Sequence, residues 1–135
     1  MKPALALAVL GAAAGAGAHA CEPELRGSDV TRLESARYVL AYRSAPARIA
    51  VGEHFALELA VCVKDGAPAP ESIQLDAHMP AHRHGMNYAP HVQRTAANRW
   101  RAAGLLFHMP GRWELRFDVR AGGAADRLSR NYDLD

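Results

Sequence analysis

His54-Phe55-Ala56-Leu57-Glu58-Leu59-Ala60-Val61-Cys62-Val63 is the stretch that decides the fold class. Phe55, Leu57, Leu59, Val61 and Val63 alternate with Ala56, Glu58, Ala60 and Cys62. A period of two with one apolar face marks a half-buried β-strand. Arg112 to Arg120 repeats the pattern, with Trp113, Leu115, Phe117 and Val119 set against Glu114, Arg116, Asp118 and Arg120. Matched alternation predicts that the two apolar rows face one core. Between them, Ser72 to His78 alternates as well, with Ile73, Leu75 and Ala77 on one face and Gln74, Asp76 and His78 on the other.

Tyr38 to Tyr42 reads as an earlier strand with Tyr38, Leu40 and Tyr42 on one face. Asn98 to Phe107 reads as a strand with Trp100 inward, and Leu128 to Leu134 closes the chain with Leu128, Tyr132 and Leu134 in phase. Turn chemistry separates these pieces at Asp65 to Pro70, at His108 to Gly111 and at Ala121 to Ala124. Met79 to Val92 holds Pro80, Gly85 and Pro90 and reads as a loop. About seven short strands without a long helix predict an all-β chain, an immunoglobulin-like β-sandwich, with a small barrel as the alternative. Strand order is not legible in the pattern.

Residues Met1 to Ala20 read as a secretory signal. Lys2 supplies the charged start, Leu5 to Leu10 the apolar stretch, and Ala18-His19-Ala20 the small-x-small cleavage pattern. The expected organisation is a signal peptide over 1–20, a polar lead-in over 21–36 and a sandwich domain over 37–135, in keeping with 135 residues in all. Export places the chain in the periplasm or outside the cell, an oxidising setting in which Cys21 and Cys62 pair. Lipid anchoring through Cys21 is the alternative, and it excludes that pairing. No later apolar run is long enough for a membrane span. The 16 basic and 14 acidic residues give a net charge of +2. The basic residues are spread along the chain, which argues against a nucleic-acid partner.

Four of seven histidines lie between His78 and His91, together with Met79 and Met86, and Met109 sits in a second His-Met-Pro at His108 to Pro110. Thioether sulfur is a soft ligand that selects Cu(I), and imidazole serves either copper oxidation state. His82 and His84, two apart, share a side of an extended segment. Gly85 is expected to turn the backbone and bring Met86 back toward them. The competing structural reading makes Met79 and Met109 plugs for the end of the core, with Pro80 and Pro110 stopping the strands. His54 and His91 read as ordinary surface residues. A His-Glu-x-x-His pair, a phosphate-binding glycine loop and a serine nucleophile elbow are all missing from the sequence, so an enzyme is not expected.

At Asp76-Ala77-His78-Met79-Pro80-Ala81-His82-Arg83-His84-Gly85-Met86 the chain resembles the YtkA-like family. The later Gly104-Leu105-Leu106-Phe107-His108-Met109-Pro110-Gly111-Arg112-Trp113-Glu114-Leu115 carries the resemblance further, with the two blocks in the family's order. It spans roughly residues 49–119. The family motif falls on Met79, Pro80, His82, His84, Gly85, Met86, Met109, Pro110, Gly111 and Trp113. The resemblance implies a secreted or membrane-tethered immunoglobulin-like domain, and some relatives are linked with copper handling.

Two functions are therefore expected, from different classes. The first is a periplasmic copper-binding carrier or buffer, with Cu(I) favoured, in which Met79, His84 and Met86 are ligands and His82 and His108 complete or exchange the site. The second is a metal-free module whose Met-Pro-x-His-x-His-Gly-Met loop meets another envelope protein.

Overall fold

A computed structural model describes residue 1 and residues 20–135. The cleavage pattern at Ala18 to Ala20 and the signal segment lie outside that range, except for their end residues. Among the described residues there are nine strands: β1 Thr31–Glu34, β2 Tyr38–Ala45, β3 His54–Val63, β4 Ser72–Met79, β5 His84–Gly85, β6 His91–Ala96, β7 Arg99–Leu106, β8 Gly111–Ala121 and β9 Ala124–Leu134. They form two antiparallel sheets, β1-β2-β3-β7-β6 and β5-β4-β8-β9, packed as a sandwich.

The alternation of β3 and β8 is what closes the sandwich. Phe55, Leu57, Leu59 and Val61 from one sheet share a core with Trp113, Leu115, Phe117 and Val119 from the other. Ile73, Leu75, Ala77 and Met79 of β4 join them, as do Tyr38, Leu40 and Tyr42 of β2. Tyr42 keeps its hydroxyl satisfied inside the core through a 2.7 Å bond with the Tyr132 hydroxyl. That burial pushes the Tyr42 phenol up, well above its usual range.

The strand count exceeds the seven expected from sequence. β1, β5 and β6 lie in none of the segments read as strands; all three are short or lie at sheet edges, and β6 is exposed at five of its six positions. A strand with no buried face carries no period of two, so nothing in its sequence separates it from a loop. Two readings change accordingly. The segment Met79 to Val92 is not all loop, because it contains β5 and the start of β6. The polar lead-in over 21–36 contains β1, which pairs with β2 from Thr31↔Tyr42 to Glu34↔Val39.

Cys21 and Cys62 are bonded, with Cα atoms 5.6 Å apart. The bond occupies the sulfur that a lipid thioether at Cys21 would need. It also ties the lead-in to the outer face of the first sheet, where Leu25 packs on Ala41 and Ala60. Among the described residues no helix is long and apolar enough to cross a membrane.

Candidate functional site

One end of the sandwich collects the ends of three strands: β4 stops at Met79, β7 stops at Leu106, and β8 begins at Gly111. The turn after β4 is made by the backbone, with the His82 and Arg83 amides donating to the Met79 carbonyl at 3.2 and 2.9 Å. Arg83 takes φ 54°, the left-handed conformation that tightens this turn. The expectation that Gly85 makes the turn is corrected here. Gly85 lies in β5 opposite His78. A Cβ at Gly85 would stand 3.3 Å from the Ala77 carbonyl, so glycine serves close strand approach.

His84 pairs with Met79 across β4 and β5, and paired residues share a face of the sheet. Met79 is 1% exposed, so this face looks inward. Met86, whose amide donates to the Ala77 carbonyl at 3.2 Å, also packs against the core. His82 and His84 do not share an extended segment, because His82 lies in the turn. Their rings nevertheless approach to 5.9 Å between centroids. His108 comes in from the corner after β7 and stands 5.2 Å from His84, ring to ring.

Trp113 lies beneath this group. Fully buried, it stacks on Phe107 at 4.9 Å and donates its indole N–H to the Met109 carbonyl at 3.0 Å. The His84 and His108 rings meet it edgewise at 6.0 and 5.3 Å. Sequence reasoning made Trp113 a core anchor. It missed that the same ring forms the floor under the imidazoles, although the placement of Trp113 two residues into β8 carried that signal. Met109 packs partly buried against the core, as the structural reading of the two methionines expects.

The ring nitrogens define what the arrangement can do. His84 Nδ1 lies 3.2 Å from the Gly85 carbonyl, a contact that places the proton on Nδ1 and leaves the Nε2 lone pair free. Metal-bound histidines use such a carbonyl to fix their tautomer. Among the described residues His108 Nδ1 is buried without a hydrogen-bond partner, as are His78 Nδ1 and one Arg37 guanidinium nitrogen. Two imidazoles on one ion, with bonds of about 2 Å, place their centroids roughly 5–6 Å apart, and the His84–His108 pair falls in that range. Among the described residues no three His, Cys, Asp or Glu side chains are grouped closely enough to hold a metal.

His78, next to Met79 in sequence, points to the opposite face of β4. Its Nε2 lies 2.6 Å from the Arg116 guanidinium, which donates to it, and 3.7 Å from Glu114. The Arg116 hydrogen bond holds the Glu114 carboxyl below its usual range against the effect of burial. His54 and His91 are both exposed, as surface residues are, and His54 faces the Tyr88 ring at 5.7 Å.

Comparison of the chain with protein-family models, with curated proteins and with solved structures gave no match.

Proposed function

We propose that the protein is a periplasmic copper-binding carrier or buffer rather than an enzyme, and that it holds Cu(I) between imidazole and thioether at the Trp113 end of the sandwich. The observation that carries this reading is the His84–His108 pair, 5.2 Å apart, with a buried and unpartnered Nδ1 on His108. A buried polar atom without a partner is costly, and a ligand removes the cost. His84 and His108 are the central ligands, with Met79 and Met86 supplying sulfur from the same inward face. His82, exposed at the turn, exchanges copper with the outside. The Cys21–Cys62 bond fits export to an oxidising compartment, where a thioether survives as a ligand and a thiol does not.

The same reading extends to the fold and the family. An immunoglobulin-like reading is supported by the order β2-β3-β7-β6 against β4-β8-β9, which runs as A-B-E-D against C-F-G, with two added strands, β1 beside A and β5 beside C. Together with the two Met-Pro blocks, this order favours membership of the YtkA-like family.

The test is a Cu(I) titration of the disulfide-bonded protein against a competing chelator, with Trp113 fluorescence as a second readout. One ion should bind per chain. His84→Ala and Met86→Ala should each weaken binding by more than about tenfold, while His54→Ala leaves it unchanged. If the parent binds no copper at micromolar concentration, the metal-free interaction module takes its place.

A further inference from the structure

The edge of β4 away from β8 is open along most of its length, because β5 pairs only with His78 and Met79. Backbone groups along a strand alternate between its two neighbours. The Met86 amide bonds to the Ala77 carbonyl, so the odd residues of β4 direct their N–H and C=O to this edge. Ile73 and Leu75 are the next odd residues, and among the described residues no strand pairs with them on that side.

The chain after β5 runs back along this edge without joining it. It meets β4 at Met86, and the segment just before β4 at Arg94, whose guanidinium donates to the Pro70 carbonyl at 2.6 Å. Between those two closures lies a cleft of about 610 Å³, with the β4 edge as one wall and residues 86–92 as the other. That volume is in the range of ligand sites. Met86 and Val92 give the cleft an apolar side, and Tyr88 stands on its rim 55% exposed.

Its charges are uneven in their pairing. Arg127 is forked onto Asp118 at 2.8 and 2.9 Å, and Arg116 is taken by Glu114 at 2.9 Å. Asp76, whose Oδ1 accepts from the Ala77 amide at 2.8 Å, lies opposite Arg116 in the β4–β8 register but makes no ion pair within 4.0 Å among the described residues, since Arg116 is turned to Glu114. We propose that this cleft binds an extended peptide of alternating apolar and basic residues, which adds a short strand to the free edge of β4. Residues opposite Ile73 and Leu75 would turn inward onto Met86 and Val92, and the residue opposite Asp76 would carry the positive charge. Four residues, about 13 Å of strand, fill the edge from Ile73 to Asp76. The cleft lies beside the imidazole group and shares Met86 with it, so the peptide is titrated into the copper-free protein.

The probe is the peptide acetyl-Lys-Val-Thr-Val-amide, titrated into the ¹⁵N-labelled protein. Shifts should concentrate on the amides of Ile73 and Leu75 and on residues 86–92. N-methylation of both valines, which removes the edge hydrogen bonds, should weaken binding by about tenfold or more. Asp76→Asn, which keeps an acceptor for the Ala77 amide, should weaken the lysine peptide several-fold and leave a glutamate-for-lysine peptide unchanged or improved. Shifts confined to β1, β6 or β9, equal binding of the N-methylated peptide, or no binding at millimolar peptide would each overturn the proposal.

Discussion

The Met79 methyl carbon lies 2.7 Å from the point where a Cβ on Gly111 would stand. The last residue of β4 thus fills the space left free by the first residue of β8, and the two strands close the core end together. Gly111 also takes φ 125°, a conformation that L side chains rarely adopt. Gly111→Ala should therefore destabilise chiefly through backbone strain, by about 1–3 kcal/mol, because the Met79 methyl is the end of a flexible side chain that can swing aside. Thermal or urea unfolding measures it. Gly85→Ala meets the Ala77 carbonyl at 3.3 Å without a positive φ and should cost less. An equal loss at the two glycines would show that the left-handed backbone at Gly111 adds no strain.

Phe117 is fully buried between the sheets and lies 4.9 Å from the Tyr42 ring. Phe117→Ala should cost about 3–5 kcal/mol, the transfer term plus the cavity it leaves. Chemical denaturation gives the value directly. A loss below about 1 kcal/mol is what an exposed strand would show.

The Cys21–Cys62 bond closes a loop of 41 residues. In the chain-entropy model such a crosslink stabilises by about 4 kcal/mol. Non-reducing peptide mapping should recover one crosslinked peptide, and Cys62→Ala should lower the unfolding midpoint to match. The lead-in should also become protease-sensitive near Leu25, since its remaining hold is a small apolar contact with Ala41 and Ala60. A variant with unchanged stability and an intact lead-in would place the anchoring elsewhere.

The fold class was legible because β4 and β8 bury one face and β3 buries large side chains on one face and only the small Ala56 and Ala60 on the other, so each writes a period of two into the sequence. β5 is two residues long and β6 has one partly buried residue, Val92, so neither writes any period. The convergence of His84 with His108 followed from the rule that strand-end loops gather at the ends of a sandwich. The turn that sets it up did not, because the left-handed residue is Arg83 and Gly85 was the natural candidate. The Ser35–Arg37–Asp126 cluster was also hidden. It joins residues about ninety positions apart, and polar residues at that separation carry no pattern.

That cluster sets the last expectation. Asp126 is 12% exposed and accepts from the Ser35 hydroxyl at 2.6 Å, from the Arg37 Nε at 2.6 Å and from the Arg37 amide at 3.2 Å. Burial works to raise its carboxyl, but the hydrogen bonds from Ser35 and Arg37 together outweigh it, and the group lies below its ordinary range. A carboxyl depressed in the folded state contributes stability above its unfolded value of about 3.9, and that contribution is lost as pH falls through the lower folded value. Asp126→Asn should then be less stable than the parent at pH 7 by about 2 kcal/mol, the scale of hydrogen bonds to a charged group. The difference should shrink as the pH drops below about 4. Glu114 and Asp118 are depressed by their own arginine partners, so the variant keeps an acid limb and the parent–variant difference is the quantity to follow. Urea midpoints at pH 7, 5 and 3 measure it. Parallel losses at all three values would mean that Asp126 stabilises the fold without a linked proton.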